Sequence, residues 1–448
     1  MRSYRVDEIR EYLEQGNAAG KPGEYRQRGL RCPAAVGRGM GGFSKTALLI
    51  PESIHIVVSP PACGRHGDFD ILAAGLKGRF YRVRLSEKDI VSGRGPDTLY
   101  HQLDQFLEEA ECPPRVITIC TTCVDGISHT DYSYVGRKIE EKYGIRFGVI
   151  PMFPFLADSP KNHQDMLMEG VYGLMRPVPG EKKDRAVNLI GRVTEADRNT
   201  DFPKLLEKAG YEVRELHWCH TLEEYDRMGN ACLNVVLSPK CMGAARMMER
   251  KYKIPYIEFF ETFSPDQILK NYRKLEQALG LSLDVEQEYT NSKARAEELR
   301  KALQGHSVAV GESVDYNPVK FACEWCEEEL PLSYCLVDKI SPEDREFYRK
   351  LGELKPDLRV YLATDSQMMT FMDHPAHVDY TVGIESILFL KDSLVRKLRM
   401  REEPYDFRSF SHSVDELLQG IDRAGIAGQK EKTVFSRNWS IYTEEEHE

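Results

Sequence analysis

Three cysteines in the first third of the chain are the side chains best suited to carry chemistry. Cys32 precedes a glycine-rich run, Cys63 lies two residues after Pro61, and Cys123 lies three residues after Cys120. Each of the three lies in a turn-rich stretch beside an apolar run typical of a strand, so one sheet could gather their thiols at its strand ends. Three gathered thiolates indicate a metal cluster, and soft thiolate sulfur is the ligand type that iron–sulfur clusters use. The spacings of 31 and 60 residues match no compact ferredoxin-type motif.

The chain's other cysteines have a simpler interpretation. Eleven cysteines in 448 residues are too sparse for a disulfide scaffold, and a free cysteine is commonly a small buried packing residue. Cys120 is expected to pack in the core or to lie just behind the ligands. Cys323 and Cys326 have redox-motif spacing but fall on a predicted helix, where packing is the expected role. The run 217–220, His-Trp-Cys-His, lacks the second ligand group that a structural zinc needs.

The glycine-rich run after Cys32 nearly matches a phosphate-binding loop. Gly39 and Lys45-Thr46 have the required spacing, but Ser44 stands where the motif has glycine, and no apolar strand precedes the run. We therefore interpret it as a loop, whose glycines would let the backbone approach a cluster closely.

Composition limits the remaining possibilities. With 448 residues, 41% of them hydrophobic, the chain predicts two to four globular domains. A formal net charge of −10 with no basic stripe argues against a nucleic-acid or anionic-membrane partner. No apolar run of about 18 residues and no secretory leader pattern are present, so we expect a cytoplasmic protein.

The elements that must position the cysteines alternate between strand and helix. This rhythm predicts an α/β fold of three Rossmann-like, doubly wound domains with mainly parallel sheets. We place the domains at residues 1–180, with the cluster cysteines, 181–304 and 305–400, and a C-terminal extension at 401–448. The first thirty residues are expected to form a surface arm, and the last fifty an extended tail. In such sheets ligands collect at the carboxyl ends of strands, where Cys63 and the Cys120/Cys123 pair fall.

The residues around the cysteines resemble those of the catalytic-component subunits of nitrogenase and nitrogenase-like reductases. The similar segments are Cys32 with its glycine-rich loop, Pro61-Ala62-Cys63-Gly64, Thr121-Thr122-Cys123 with Asp131, Phe153-Pro154-Phe155, Gln164-Asp165-Met166-Leu167 with Gly170, and residues 248–255. The resemblance extends to about residue 400, and it implies three Rossmann-like domains around a metallocluster.

The resemblance also implies a ligand set and partners. Cys32, Cys63 and Cys123 would hold a [4Fe-4S] or larger cluster shared between subunits, and the missing ligand would come from a homologous subunit in a homo- or hetero-oligomer. Electrons would arrive from a separate ATP-dependent iron protein, which agrees with the lack of an intact phosphate-binding loop here. Such chemistry implies anaerobic conditions.

A second metallocofactor, or a tetrapyrrole substrate, is also implied between the domains. Cys241 and His377 are the candidate ligands, although Ser238 matches the family's strand-end position better than Cys241. The surroundings depart from the nitrogenase pattern, so dinitrogen reduction is not expected, and the catalytic residues are not identified.

Three functions therefore remain open. The first is an oxidoreductase subunit that passes electrons through the cluster to a small molecule or tetrapyrrole. The alternative is a non-catalytic scaffold for metallocofactor assembly. The third is an α/β protein that binds an ordinary organic ligand.

Overall fold

The computed structural model describes residues 3–18, 40–61, 63, 65–152, 163–177, 183–311, 317–365, 378–383, 396–398, 400 and 403–426. Within these ranges the α-helices are α1 (Val6–Ala18), α2 (Met40–Ala47), α3 (Arg65–Ala73), α4 (Glu87–Val91), α5 (Gly95–Glu109), α6 (Cys123–Ser128), α7 (Ser133–Tyr143), α8 (His163–Gly173), α9 (Asp201–Lys208), α10 (Leu222–Arg227), α11 (Met242–Tyr252), α12 (Pro265–Leu279), α13 (Glu286–Ala302), α14 (Pro318–Glu327), α15 (Arg345–Leu354) and α16 (Phe407–Ile426). The strands are β1 (Ser3–Arg5), β2 (Ser53–Ser59), β3 (Phe80–Arg84), β4 (Val116–Thr121), β5 (Arg146–Pro151), β6 (Asp184–Ile190), β7 (Glu212–Glu215), β8 (Ala231–Val236), β9 (Tyr256–Glu258), β10 (Val308–Val310), β11 (Tyr334–Val337), β12 (Arg359–Leu362), β13 (Tyr380–Val382) and β14 (Arg396–Leu398).

The first sheet has four parallel strands in the order β3-β2-β4-β5. Its central strands β2 and β4 are rich in β-branched residues, and every residue in both is buried. Such continuous burial is typical of parallel strands covered by helices on both faces. Ile54 and Ile117 pack into one core with leucines of α5, whereas Val57 and Cys120 belong to a second core.

The second sheet repeats this arrangement with the parallel order β7-β6-β8-β9. Its central strands are joined by a buried hydrogen bond of 2.8 Å from Asn188 Nδ2 to Asn234 Oδ1. Met168 and Val171 of α8 and Ala244 and Met248 of α11 share the core that also holds Val57. The first two sheets therefore share one core.

The third sheet has the order β1-β12-β11-β10-β13-β14. Strands β10 to β14 run parallel to their neighbours, and only β1 is antiparallel, to β12, among the described strands. Three mainly parallel sheets with helical connections confirm the predicted α/β fold.

The chain divides into two compact units. One comprises Met1–Gly37, Glu261–Lys270 and Asp284–Glu448, and contains the third sheet. The other comprises Arg38–Phe260 and Asn271–Leu283, and contains the first two sheets. The predicted boundaries at residues 180, 304 and 400 stay predictions.

The first residues of the chain differ from the expected surface arm. Ser3–Arg5 pair with Arg359–Tyr361 as an edge strand, and α1 packs against α15. Val6 and Ile9 are fully buried, because α1 places its apolar positions on one face of the helix.

The C-terminal region differs as well. Where an extended tail was expected, residues 407–426 form α16, which packs against α13. Asp406 caps this helix, because its Oδ1 accepts a hydrogen bond of 2.8 Å from the Ser409 N–H. Arg396–Leu398 form the strand β14 at one edge of the third sheet. In the part of the chain that the structure describes, no helix combines the length and apolarity needed to cross a bilayer.

Candidate metal site

The first sheet has its topological switch point between β2 and β4. The chain runs from β2 outward to β3 and then returns to the other side of β2 to form β4. Val57 lies opposite Cys120, so both strands end at nearly the same level of the sheet. Cys63 follows the last residue of β2 by four positions, and Cys123 follows the last residue of β4 by two. The fold thus brings these two thiols to the place where open α/β sheets bind ligands.

The turn that carries Cys123 is fixed by a buried carboxylate. Asp125 Oδ2 accepts a hydrogen bond of 2.9 Å from the Thr122 N–H, and Asp125 Oδ1 accepts one of 2.7 Å from the Tyr132 hydroxyl. Burial raises the pKa of Tyr132 well above its usual value, and the negative charge of Asp125 raises it further. The Tyr132 hydroxyl therefore keeps its proton and stays a hydrogen-bond donor. Asp125 was not identified from the sequence as the acceptor that fixes this turn, nor was Tyr132 identified as its donor. A carboxylate three residues after Thr122 is nevertheless typical of a helix N-terminus.

The turn that carries Cys63 is held from the neighbouring strand. The Cys63 N–H donates to Pro60 O at 3.1 Å, and the Cys63 carbonyl accepts a hydrogen bond of 2.8 Å from Arg82 Nη1 on β3. Arg82 Nε in turn donates to Asp68 Oδ1 on α3 at 2.8 Å. Strand, turn and following helix are therefore tied together around one guanidinium group.

The two thiols suit a metal cluster at this edge. Cys63 and Cys123 are free cysteines of intermediate exposure, so a cluster could reach both without opening the core. Cys32, the third predicted ligand, lies outside the described residues. Within those residues no three Cys, His, Asp or Glu side chains lie close enough to hold a metal ion by themselves.

Cys120 occupies a different environment from its neighbour Cys123. Its side chain is fully buried in the core between the first two sheets. Burial raises the pKa of the Cys120 thiol well above its usual value, and the negative charge of Asp125 adds to this effect. A neutral thiol in an apolar core packs as a small hydrophobic residue.

A buried histidine lies on β2, on the strand that leads to Cys63. His55 Nδ1 lies 2.8 Å from Thr118 Oγ1 on β4, and the ring stacks on Phe80 with centroids 6.2 Å apart. Because Thr118 Oγ1 also lies 3.3 Å from the Ile54 carbonyl and can donate to it, the histidine Nδ1 is the donor to Thr118. Burial lowers the pKa of His55 to about 3, which keeps the ring neutral.

The switch point of the second sheet carries Cys241, the first candidate for a second cofactor. Cys241 follows β8 and is fully buried, whereas Ser238 lies half-buried at the strand end. Burial raises the pKa of the Cys241 thiol, and the negative charge of Asp165 adds to this effect. Gly191, directly after β6, has φ 108°, a conformation that favours glycine. It lies so close to the Ser238 backbone that a Cβ on it would be 3.0 Å from Ser238 N. His377, the other candidate, lies outside the described residues.

The segment 164–170, which carried part of the resemblance, has a structural role beside this switch point. Asp165 at the start of α8 accepts a hydrogen bond of 3.2 Å from the Ala244 N–H in the first turn of α11. A Cβ on Gly243 would lie only 2.4 Å from Asp165 Oδ2, so any larger residue there would push the Asp165 carboxylate out of its present position. The negative charge also suits the positive end of the α11 dipole.

The remaining cysteine motifs have structural partners. His217 Nδ1 lies 2.7 Å from Glu215 Oε1, and the Cys219 thiol donates to Glu215 O at 3.6 Å. Cys323 and Cys326 are buried on α14, as expected for packing residues.

The comparisons with known proteins agree on one family. A family model described as nitrogenase component 1 type oxidoreductase matches residues 40–374. The solved structure titled Nitrogenase Cp1 at pH 6.5 has a TM-score of 0.72 and 15% identity, and the match covers 94% of this chain and 98% of that chain. At this identity the structural match shows the fold alone.

Two relatives carry the same name, nitrogenase iron-molybdenum cofactor biosynthesis protein NifE. The one from Clostridium pasteurianum is 29% identical over 281 residues, which cover 58% of this chain and 59% of the relative. The one from Mesorhizobium japonicum is 25% identical over 438 residues, which cover 90% of this chain and 85% of the relative.

These findings confirm the resemblance seen around the cysteines. The family model spans well over half of the chain and includes both Cys63 and Cys123. The chain therefore belongs to the nitrogenase component 1 type oxidoreductase family.

Proposed function

We propose that this chain is a subunit of a scaffold on which an iron–sulfur metallocofactor is assembled and then handed on. The observation that carries the proposal is the match to the Mesorhizobium protein over 90% of this chain, because that relative is named for biosynthesis of the iron-molybdenum cofactor. The substrate-reducing interpretation came first from the sequence. The relatives favour its alternative.

The cluster ligands follow from the first switch point. Cys63 and Cys123 would each supply one thiolate, and Cys32 would supply the third. A [4Fe-4S] or larger cluster needs a further ligand, which we assign to a homologous partner subunit. The hydrogen bonds of Arg82 and Asp125 fix the two turns without any metal, so the backbone that carries each thiol is ordered in advance.

The second switch point would hold the cargo. Cys241 and His377 are the ligands we propose there, with Ser238 as the strand-end alternative. Cys241 lies inside an apolar core, so a cofactor that binds it must displace packed side chains. The free energy spent on displacing these side chains lowers the affinity for the cofactor, as expected of a scaffold that releases the cofactor to another protein.

Metal analysis of protein purified without oxygen tests the cluster. We expect iron and acid-labile sulfide in the wild-type protein, and a loss of most of both in Cys32→Ala, Cys63→Ala and Cys123→Ala. Cys112→Ala is the matched control, because Cys112 is an exposed cysteine away from the switch point. Absence of iron from the wild-type protein, alone and with its partner subunit, would contradict any cluster function.

A chase experiment separates scaffold from reductase. Protein loaded with ⁵⁷Fe is mixed with apo-nitrogenase, and the acceptor is reisolated and analysed for ⁵⁷Fe and activity. A scaffold transfers label to the acceptor. Steady turnover of a small substrate or tetrapyrrole with an ATP-dependent iron protein, with no transfer of label, would instead identify a reductase.

A further inference from the structure

A buried group of charged side chains lies where the chain leads into α16. Lys320 and Glu324 of α14 lie one helical turn apart, with Lys320 Nζ 3.4 Å from Glu324 Oε1. Glu403, four residues before α16, accepts a hydrogen bond from the same Lys320 Nζ. The exposed fractions of these side chains are 12% for Lys320, 8% for Glu324 and 5% for Glu403. We call these three residues the Glu403 cluster.

The cluster joins three segments of one compact unit. Glu324 accepts hydrogen bonds of 2.6 Å from the Thr262 hydroxyl and 2.8 Å from the Phe263 N–H. Lys320 Nζ also donates to the Glu261 carbonyl. The Thr262 N–H donates to Pro404 O at 2.7 Å, next to Glu403. The residues that precede α16 are thus fastened to α14 and to the segment 261–263.

The charges of the cluster do not balance. Two carboxyl groups, Glu324 and Glu403, share a single ammonium group, and among the residues that the structure describes the charged groups that face Glu403 are Lys320, Glu324 and Glu261. Only Lys320 among them is positive. With every carboxyl ionised, a buried site would carry net negative charge, which is costly in a medium of low polarity. One proton bound within the cluster removes this excess.

We propose that the Glu403 cluster is a proton-sensitive latch that fastens the start of α16 to α14 and loosens as the pH rises. The site of the proton is Glu403, since burial, more than the neighbouring charges, raises its pKa to about 8. When the latch opens, Glu403 meets water and its pKa returns toward the ordinary value of about 4. Opening therefore releases a proton throughout the range between these values.

The direction of the effect follows from this release. Between about pH 5 and pH 8 the closed form holds a proton that the open form has lost, so each rise of one pH unit favours opening by up to about tenfold. Above pH 8 both forms are ionised, and the opening constant levels off. The latch is thus firmest at mildly acidic pH.

Hydrogen exchange of the first turn of α16 tests the latch in the full-length protein. After correction for the intrinsic exchange rate, we expect protection of the Phe410 amide to fall by as much as about a hundredfold from pH 6 to pH 8 in the wild-type protein. Glu403→Gln, a neutral side chain of the same shape, should show constant protection over this range. Glu416→Gln on the same helix is the control and should follow the wild-type protein.

The infrared carbonyl band of a protonated carboxylic acid gives a second readout. We expect this band at pH 6.5, its loss at pH 9 in the wild-type protein, and its absence in Glu403→Gln. Wild-type protection that stays constant from pH 6 to pH 8, or no acid band at pH 6.5, would overturn the proposal. These wild-type measurements decide it even if Glu403→Gln does not fold.

Discussion

Arg146 and Asp226 form a bidentate ion pair that joins strand β5 of the first sheet to helix α10 within one compact unit. Arg146 Nη1 and Nη2, on β5, lie 2.6 and 2.5 Å from the two carboxylate oxygens of Asp226 on α10. The side chains are only 11% and 17% exposed, and Asp226 also accepts the Arg176 N–H at 2.7 Å. Paired hydrogen bonds between charged groups in such a place are among the stronger polar contacts in proteins.

Loss of this pair should be costly. We expect Asp226→Asn to lower the free energy of unfolding by about 2 to 3 kcal/mol, because it leaves the largely buried Arg146 guanidinium beside a neutral partner. Urea denaturation of the anaerobic protein measures the change. Glu108→Gln breaks an exposed pair with Lys142 and is the control that should leave the midpoint unmoved. Equal effects of the two variants would show that the Arg146 pair contributes no special stability.

The close contact of Gly243 with Asp165 gives a second prediction. Gly243→Ala puts a methyl group 2.4 Å from Asp165 Oδ2, so α8 and α11 must separate or the Ala244 hydrogen bond must break. We expect a loss of about 1 to 3 kcal/mol in unfolding free energy, as for other overpacked sites. Gly78→Ala is the control, since nothing lies within 4 Å of a Cβ at that position. Matching denaturation midpoints for the two variants would contradict the packing argument.

His55 predicts a loss of stability in acid. Its folded pKa of about 3 lies below the ordinary value, so between about pH 6.5 and pH 3 the unfolded chain binds a proton that the folded chain does not. Stability should therefore fall with decreasing pH by up to about 1.4 kcal/mol per pH unit in this window. His55→Asn, which can still donate to Thr118, should show a shallower slope in chemical denaturation at several pH values. A slope identical to that of wild type would refute the assignment, and His101→Gln, at an exposed position, should keep the wild-type slope.

Cys120 and Cys123 should respond differently to the same substitution. Cys120→Ala is expected to keep its iron but to lose about 1 to 2 kcal/mol of stability, because the fully buried thiol packs in the core. Cys123→Ala should lose iron and keep its fold. Iron content and denaturation midpoint, measured on the same anaerobic samples, separate the two roles. Loss of iron in Cys120→Ala would make that thiol a ligand as well.

Much of the fold was predictable because buried parallel strands have a strong local signal. Residues 116–120 are a short, mostly β-branched run that comes soon after Pro113-Pro114, and they lie in the observed strand β4. Placing Cys63 and Cys123 at strand ends then required only the rule that ligands gather at carboxyl edges.

The parts that were missed depend on distant partners. Asp125 was visible in the sequence, but its bond to Tyr132 exists only once α6 and α7 are folded. The helix α16 did have a local signal, since Phe407, Phe410, Val414 and Leu417 recur at helical spacing and are all buried. The run Glu402-Glu403-Pro404 directly before the helix favours an extended segment, which is why the sequence predicts a tail there.

The pairing of β1 with β12 affects the order in which parts of the chain can fold during synthesis. Ser3–Arg5 and the first turn of α1, tied to β12 by the Val6 N–H to Leu358 O bond of 3.1 Å, need a partner strand more than 350 residues later in the chain. At ordinary rates of translation this partner leaves the ribosome on the order of tens of seconds later. Until then α1 also lacks α15, the helix it packs against, so Ile9 and Leu13 do not yet have the surroundings that bury them in the finished fold. Although Ser3–Arg5 and α1 are synthesised long before β12 and α15, they therefore cannot reach their native contacts until those two elements have been made.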